Sequence, residues 1–431
     1  MPDEDRLPAI AATLRAVAGR IGTPLHATDL ATIAAAGREL RDAFPDPWVR
    51  QYSVKANDVP AIVRAAAAAL EGGANVVSGG EWALARRAGI GNALVSLEGI
   101  GKTDGDLRAA VRSAASGDPI RWIAVESADE VAAVAGLAAR ARLGRDGRPP
   151  LDLLVRLNPD VSPETHPGLA VGAGRSKFGM SETELTTAVE TARRAGPGLR
   201  PRGVHLHVGS QLGAIDSWRD AVRRALATVA LLRGNDAGFD TLDVGGGFPV
   251  AALGEPSPRP ARFAREMPAL LDAVPADRRP TQLAIEPGRF LVARAGWLVG
   301  RVLHIRDRGG RQVVIDAGMT ELIRPALYGA RHCVVALTSL GRPVDHSLAR
   351  PGPSLESVDV HGPICESTDA LGEHILPPLR RGDLVAIRDA GAYGSSLSST
   401  YNGRPKPAQV LVEPDGEARV ARRRGRLAGL G

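Results

Sequence analysis

The sequence predicts an α/β protein in which a (β/α)8 barrel over residues 28–290 is followed by an antiparallel β domain over residues 291–431. Three observations predict it. Short apolar β-type runs alternate with alanine-rich helical stretches until eight strands have been counted, the number that closes a barrel. No dinucleotide fingerprint follows the first strand, which disfavours the competing open, doubly wound sheet. Beyond Arg289 the texture changes to short β-rich runs parted by Gly, Pro and Asp turns. A chain of 431 residues suits one large barrel plus a second domain, and residues 1–27 are expected to pack with the β domain.

A first helix is expected from Asp29 to Phe44. Strand candidates then run Val49–Val54, Ala74–Val77, Ala93–Leu97, Arg121–Val125, Leu151–Leu157, Gly203–Val208, Phe239–Val244 and Gln282–Ile285. Between them lie segments such as PAIVRAAAAAL, TDGDLRAAVRSAAS and SWRDAVRRALATVALLRG, whose apolar residues recur at three and four and so form one helical face. In the second part, LVGRVLHI, RQVVIDAG, HCVVAL, SVDVHGP, DLVAIRDAG and AQVLVEPDG read as strands.

The balance of 54 basic and 48 acidic residues gives a formal charge of +6, and only four of the basic residues are lysines: Lys55, Lys102, Lys177 and Lys406. Basic and acidic residues are interspersed and aromatic residues make up 3%, so no stacking platform for nucleic acid exists and no nucleic-acid partner is expected. The tail Arg422, Arg423, Arg424 and Arg426 is the one dense basic run, read as a solvated terminus. No apolar run reaches the roughly 18 residues of a membrane span, and the acidic opening MPDED does not resemble a signal peptide, so the cytosol is the expected compartment. Two cysteines, Cys333 and Cys365, cannot by themselves build a disulfide framework or a zinc site, and no metal is expected.

Catalytic groups of such barrels sit where strands end. Here the strand ends offer Lys55, Ser78 to Glu81, Glu98, Glu126 with Ser127, Arg156 with Asn158, His207 with Ser210, Gly245-Gly246-Gly247, and Glu286 with Arg289. Each has a plain alternative: a solvated strand-end lysine, a structural histidine capped by a loop serine, a tight glycine turn, a surface carboxylate. Together they suggest a phosphorylated aldehyde cofactor. A lysine amine can form a Schiff base, glycines let backbone N–H groups approach a phosphate, and a carboxylate can keep a pyridine nitrogen protonated.

The ordered segments YSVKAN, VVSGGEWALARRAG, GIGKTDGDLRAAV, VRLNPDV, THPGLAVGAGRSKFGM, HVGSQL, LDVGGGFPV, EPGRF, DAGMTELIRPALYGA, GPICESTD and GAYGSSLSSTYN carry a resemblance. From about residue 23 to residue 412 the chain resembles the barrel-type pyridoxal-phosphate decarboxylases of the alanine-racemase-like fold type III, and within them the branch that acts on meso-diaminopimelate. The resemblance implies pyridoxal 5'-phosphate as cofactor, Lys55 as the Schiff-base lysine, and His207 stacked on the cofactor ring. It further implies Ser210 and Gly245 to Gly247 on the phosphate, Glu286 on the pyridine nitrogen, and Gly288, Arg289 and Tyr393 among the cofactor contacts. Cys365 is implied as proton donor and Glu366 as a substrate contact, both delivered from the β domain of a partner subunit in a homodimer. Arg289, Arg324, Tyr328 and Tyr393 are implied beside the amino-acid substrate. The substrate has a second carboxylate and a second ammonium, which suits paired arginines for the one and Glu366 for the other. The implied reaction is decarboxylation of meso-2,6-diaminopimelate to L-lysine and carbon dioxide. The chain departs from the family pattern at Ser53 and Val54, at Thr368 and in its ARRRGRLAGLG tail. Alternatives are a related decarboxylase of a specialised biosynthetic pathway and, in another class, a non-catalytic relative that binds a partner.

Overall fold

The computed structural model describes residues 7–170, 172, 176–251, 256–339, 342–344 and 355–426. The opening MPDED, part of the THPGLAVGAGRSKFGM segment, the start of GEPSPRPAR and the last five residues of the tail lie outside the described residues. Eight parallel strands close into a barrel: β2 (Val49–Ser53), β3 (Gly73–Val76), β4 (Val95–Leu97), β5 (Trp122–Val125), β6 (Leu151–Arg156), β7 (Leu199–His205), β8 (Thr241–Asp243) and β9 (Gln282–Ile285). Closure is made by β2 and β9, with Val49 opposite Ala284 and Arg50 opposite Ile285. The helical coat buries its apolar stripe on these strands, and Trp218, Tyr52, Phe44, Phe239 and Phe263 are the largest fully enclosed side chains. Among the described residues no helix is long and apolar enough to cross a membrane.

The ring of helices is completed from the wrong end of the chain. After β9 only the short helix Arg289–Val292 follows, and the gap is filled by the helix Leu30–Ala43, which packs between helices Pro60–Leu70 and Pro260–Ala264. It starts where it does because the Asp29 carboxylate accepts from Ala31 N at 3.2 Å and from Thr32 Oγ1 at 2.7 Å.

The remaining strands form one ten-stranded sheet. In chain order they are β1 (Leu25–Asp29), β10 (Gly296–Asp307), β11 (Arg311–Ile315), β12 (Val334–Ser339), β13 (Arg342–Val344), β14 (Glu356–His361), β15 (Ala370–Leu376), β16 (Leu384–Ile387), β17 (Ala408–Val412) and β18 (Ala418–Arg422). Its main path runs β13-β12-β16-β10-β1-β17-β18, and β11, β14 and β15 branch from β10. Pairing is antiparallel except between β1 and β17 and between β11 and β14, which run parallel. The helix Leu7–Ile21 covers one face, burying Ile10, Leu14 and Val17 against Val335, Val299 and Val410.

The expected strand Gly203–Val208 is displaced: β7 spans Leu199–His205. Its first half carries Arg200 and Arg202, which pair outward with Asp152 and Asp240, so charge hides the strand from an apolar search. His207 therefore lies in the loop beyond the strand. Lys55 likewise sits past the end of β2, in a single 3-10 turn at Val54–Ala56.

Two hydrogen bonds dock the sheet onto the barrel mouth. Asn57 Nδ2 donates to Gly391 O at 2.9 Å, and Tyr393 N donates to Ala56 O at 2.8 Å. Gly391 is required there, because a Cβ would stand 1.8 Å from Val292 O. The loop after β16 is thus tied to the turn that carries Lys55.

Candidate active site

A cavity of about 420 Å³ opens at the C-terminal ends of the barrel strands, lined by Lys55, His207, Ser210, Arg289, Tyr328 and Tyr393, together with Arg156, Phe178, Leu169 and Gly99 to Gly101. A small chamber of about 30 Å³ lies against it, bordered by Lys55, His207, Ser210, Gly247, Glu286, Gly288, Arg289 and Tyr393. These residues, from ten separate stretches of sequence, therefore meet at one place, as a barrel mouth requires.

The glycine triplet is a cradle no other residue could make. Gly245 and Gly247 have φ of +69° and +98°. A Cβ on Gly245 would lie 2.3 Å from Leu206 O, on Gly246 2.4 Å from Glu286 O, and on Gly247 2.6 Å from Gly209 O. Its first amide is held from behind, Gly245 N donating to Asp243 Oδ1 at 2.8 Å, while Gly246 N donates to His207 Nδ1 at 3.3 Å. Opposite, Arg289 donates through Nη2 to Ser210 Oγ at 2.9 Å and lays its guanidinium over the Tyr393 ring, 4.7 Å from the centroid. Arg289 Nη1 is buried without a hydrogen-bond partner.

Arg289 also borders a second cavity of about 100 Å³, where it meets Arg324, His332 and Asp389. Arg324 Nη1 lies 2.9 Å from His332 Nε2, and His332 Nδ1 lies 2.9 Å from Arg388 O, an arrangement that suits a neutral imidazole protonated at Nδ1. Arg324 Nε is buried and unpartnered. Burial, and then the neighbouring Arg289 charge, bring the Arg324 guanidinium down to about 10. It remains a cation at neutral pH, next to a second one.

Beneath the mouth lies a group of titratable side chains. Glu286 is enclosed, its Oε1 accepting from Asn75 Nδ2 at 2.7 Å. His205 Nε2 stands 3.3 Å from Glu98 Oε2 and 3.5 Å from Glu286 Oε2. Arg156 pairs with Glu126 at 2.6 Å. Burial lowers His205 to about 4 and holds His207 well below the usual histidine range, with the Lys55 ammonium adding to the effect on both. Both rings are neutral at physiological pH.

Burial also lowers His26 and His332 to about 4. Because an unfolded chain takes up these protons near pH 6.5 and the native protein only near 4, stability drains away as pH falls through that window. Each of His26, His205 and His332 contributes a loss of roughly 2 kcal/mol by pH 5. Glu98, raised to about 8, and Asp243, raised well above the carboxylate range, work in the opposite sense over the same range, Glu98 offsetting about one histidine, while the lowered His207 adds to the loss. Urea midpoints should therefore fall from pH 7 to pH 5, and His26→Gln should flatten the fall; a midpoint constant across that range would contradict these assignments.

The structure brings Lys55, His207, Ser210, Gly247, Glu286, Gly288, Arg289, Tyr328 and Tyr393 to the mouth and places Gly245 and Gly246 immediately behind it. Arg324 enters through the second cavity. Cys365 and Glu366 do not line these cavities in their own chain. Cys365 is exposed, with Asn402 Nδ2 3.6 Å from its Sγ, and the nearby Glu366 carboxylate raises the pKa of the Tyr401 hydroxyl. Their loop is nonetheless built firmly: Asp369 accepts from Met319 N at 2.6 Å and from Ile364 N at 2.7 Å. Sequence reasoning missed Asn75, His205, Asp243 and Asp369. The spacing of His205 and His207 by two residues is the signal that could have placed both on one inward side.

A family described as pyridoxal-dependent decarboxylase, pyridoxal binding domain, matches residues 30–293. The chain is 35% identical over 417 residues to a diaminopimelate decarboxylase of Aquifex aeolicus, covering 96% of this chain and 91% of that one. It is 37% identical over 399 residues to the Deinococcus radiodurans enzyme of the same name, covering 92% of each. A crystal structure of Helicobacter pylori diaminopimelate decarboxylase complexed with L-lysine superposes with a TM-score of 0.85 at 30% identity, over 97% of this chain and 98% of that one. With a closed parallel barrel, a separate mixed sheet and a family match across the whole barrel, the chain belongs to the pyridoxal-dependent decarboxylases.

Proposed function

We propose that this protein binds pyridoxal 5'-phosphate and decarboxylates meso-2,6-diaminopimelate to L-lysine, as a cytosolic homodimer whose two active sites are shared between subunits. The observation that carries the reading is the meeting, around one arginine, of a lysine-bearing cavity and a second cavity holding another buried guanidinium. The residues fit the cofactor. The glycine cradle leaves room for backbone approach and none for a side chain, and Ser210 and Arg289 present a hydroxyl and a cation beside it. The relatives of high coverage carry the same substrate in their names.

When bound, pyridoxal phosphate supplies an electron sink for the bonding pair that a departing carboxylate leaves behind. Lys55 would hold the cofactor through its amine, the one lysine amine among the described residues that lines the cavity. His207, kept neutral by burial, lines the same cavity and would stack on the cofactor ring without adding a charge there. Glu286, on the border of the small chamber beside Lys55, would pair its carboxylate with the ring nitrogen. Arg289 and Arg324 orient the substrate through its second carboxylate, which fixes which end of the molecule reacts. Cys365 of the partner subunit delivers a proton from Sγ to the carbon, and Glu366 of the partner subunit faces the distal ammonium.

The test is product analysis: protein supplied with pyridoxal phosphate should release carbon dioxide and lysine from meso-diaminopimelate, and far less product from ornithine or lysine. Equal or better turnover of ornithine would favour the specialised-pathway alternative, and no turnover of any amino acid the non-catalytic one. For the shared site, mixing inactive Lys55→Ala protein with inactive Cys365→Ala protein should restore activity, because each mixed dimer carries one intact site of two. Subunit exchange seen by mass without any return of activity would exclude the shared site.

A further inference from the structure

Three carboxyl groups converge under the proposed cofactor: Glu98 from the end of β4, Asp243 from the end of β8 and Glu286 from the end of β9. All are buried, and Asp243 is 0% exposed. Glu286 is the middle member: a carboxylate oxygen of Glu98 and one of Glu286 lie within 4.8 Å of each other and of a His205 ring nitrogen, and Asp243 pairs on the neighbouring strand opposite Ala284, two residues before Glu286. Two ionised carboxylates have no hydrogen to share, so each such contact needs a proton on one of the pair. Asp243 makes the need plain: Oδ1 accepts from Gly245 N, while Oδ2 is buried with no donor.

The charges around the group do not supply compensation by other means. From β3 comes the neutral amide of Asn75, which donates to Glu286. From β7 comes His205, which faces Glu98 and Glu286 as a neutral ring. From β6 comes the Arg156 cation, committed to Glu126 beyond β5. From the turn after β2 comes Lys55, whose amine is the one proposed to hold the cofactor. The indole of Trp122 on β5 approaches Glu98 Oε1 at 3.4 Å.

We propose that Glu98 and Asp243 are neutral acids that donate hydrogen bonds to an ionised Glu286, forming a buried acid–carboxylate–acid array that keeps the middle group charged. Glu98 and Asp243 are positioning residues, since they act through Glu286. Burial and the neighbouring Glu286 charge, which raise Glu98 to about 8 and Asp243 well above the carboxylate range, agree with the geometry. The arrangement lets an anion persist in a site where burial alone would neutralise it, because its two flanking donors take the place of water. Its meaning for catalysis rests on the reading that Glu286 faces the cofactor's ring nitrogen.

Infrared difference spectra of the protein without cofactor address the protonation states directly. The carbonyl stretch of protonated carboxylic acid should be present at pH 7, diminish as pH is raised through about 8, and lose separate components in E98Q and D243N. Absence of any such band that E98Q or D243N removes would overturn the array, whether or not pyridoxal phosphate binds. In the loaded protein, the nitrogen-15 shift of ring-labelled cofactor should report a protonated ring in wild type. E98L should weaken cofactor binding by roughly tenfold or more through loss of a charge-assisted bond, and E98Q, which keeps a donor and adds no charge, should restore it. If the acid bands are present but E98L and E98Q bind cofactor equally well with identical nitrogen shifts, the array stands and the placement of Glu286 at the ring nitrogen falls.

Discussion

Lys55→Ala is expected to lower decarboxylation by several orders of magnitude, because no other primary amine among the described residues reaches the cavity. Lys102 is committed to Glu130 at 3.0 Å, and Lys177 lies over the Phe178 ring. Ser210, Arg289 and the glycine cradle are untouched by the substitution, so cofactor should still be retained through its phosphate. Borohydride treatment followed by peptide mass mapping checks the claim: wild type should carry the reduced cofactor on the peptide containing Lys55, and the variant should carry none. Near-wild-type carbon dioxide release from Lys55→Ala would refute the proposed mechanism.

Arg324→Ala is expected to erode the preference for diaminopimelate over ornithine more than it harms cofactor binding. A buried guanidinium that loses its anionic partner, or an anion that loses its guanidinium, costs about 2–5 kcal/mol, equivalent to roughly 30-fold to several thousandfold in kcat/KM. Ornithine lacks the second carboxylate and forfeits this interaction already, so its kcat/KM should change little. Lysine at position 324 should not rescue, because the fork that reaches both His332 and a carboxylate is a property of the planar guanidinium. Parallel kcat/KM measurements on both substrates decide it. Equal losses for the two would remove Arg324 from substrate selection.

Much of this site could be read along the chain because its members follow apolar strands. The strand Gln282–Ile285 was expected at the bounds it has, and Glu286 follows it directly. Lysine scarcity made Lys55 conspicuous, and the triplet Gly245 to Gly247 announces a backbone that must approach something closely. What could not be read depends on which way a side chain points. Asp243 and Asn75 sit inside short buried strands where register alone turns them toward Glu286, and nothing in their neighbours reveals it. β1 was hidden for a related reason: all five of its residues are buried, yet His26, Thr28 and Asp29 are polar, so no apolar run marks it. Arg289 and Arg324 meet across 35 residues of chain and a domain boundary, a juxtaposition that only folding creates.

That hidden strand decides the order in which the molecule can be made. β1 pairs with β10 on one edge and with β17 on the other, so the barrel is an insertion between the first strand of the sheet and the rest of it. During synthesis, residues 25–29 leave the ribosome ahead of the whole barrel, while Ala408–Val412 emerges well after it. The barrel can close once β9 is out, because each of its strands pairs with the next along the chain and the last returns to β2. The sheet cannot: its central strand waits with both edges unpaired for more than 250 residues of chain, and the loop bearing Tyr393 is not docked until long after Lys55 is in place. A nascent chain therefore holds a finished glycine cradle before the loop bearing Tyr393 is docked beside it.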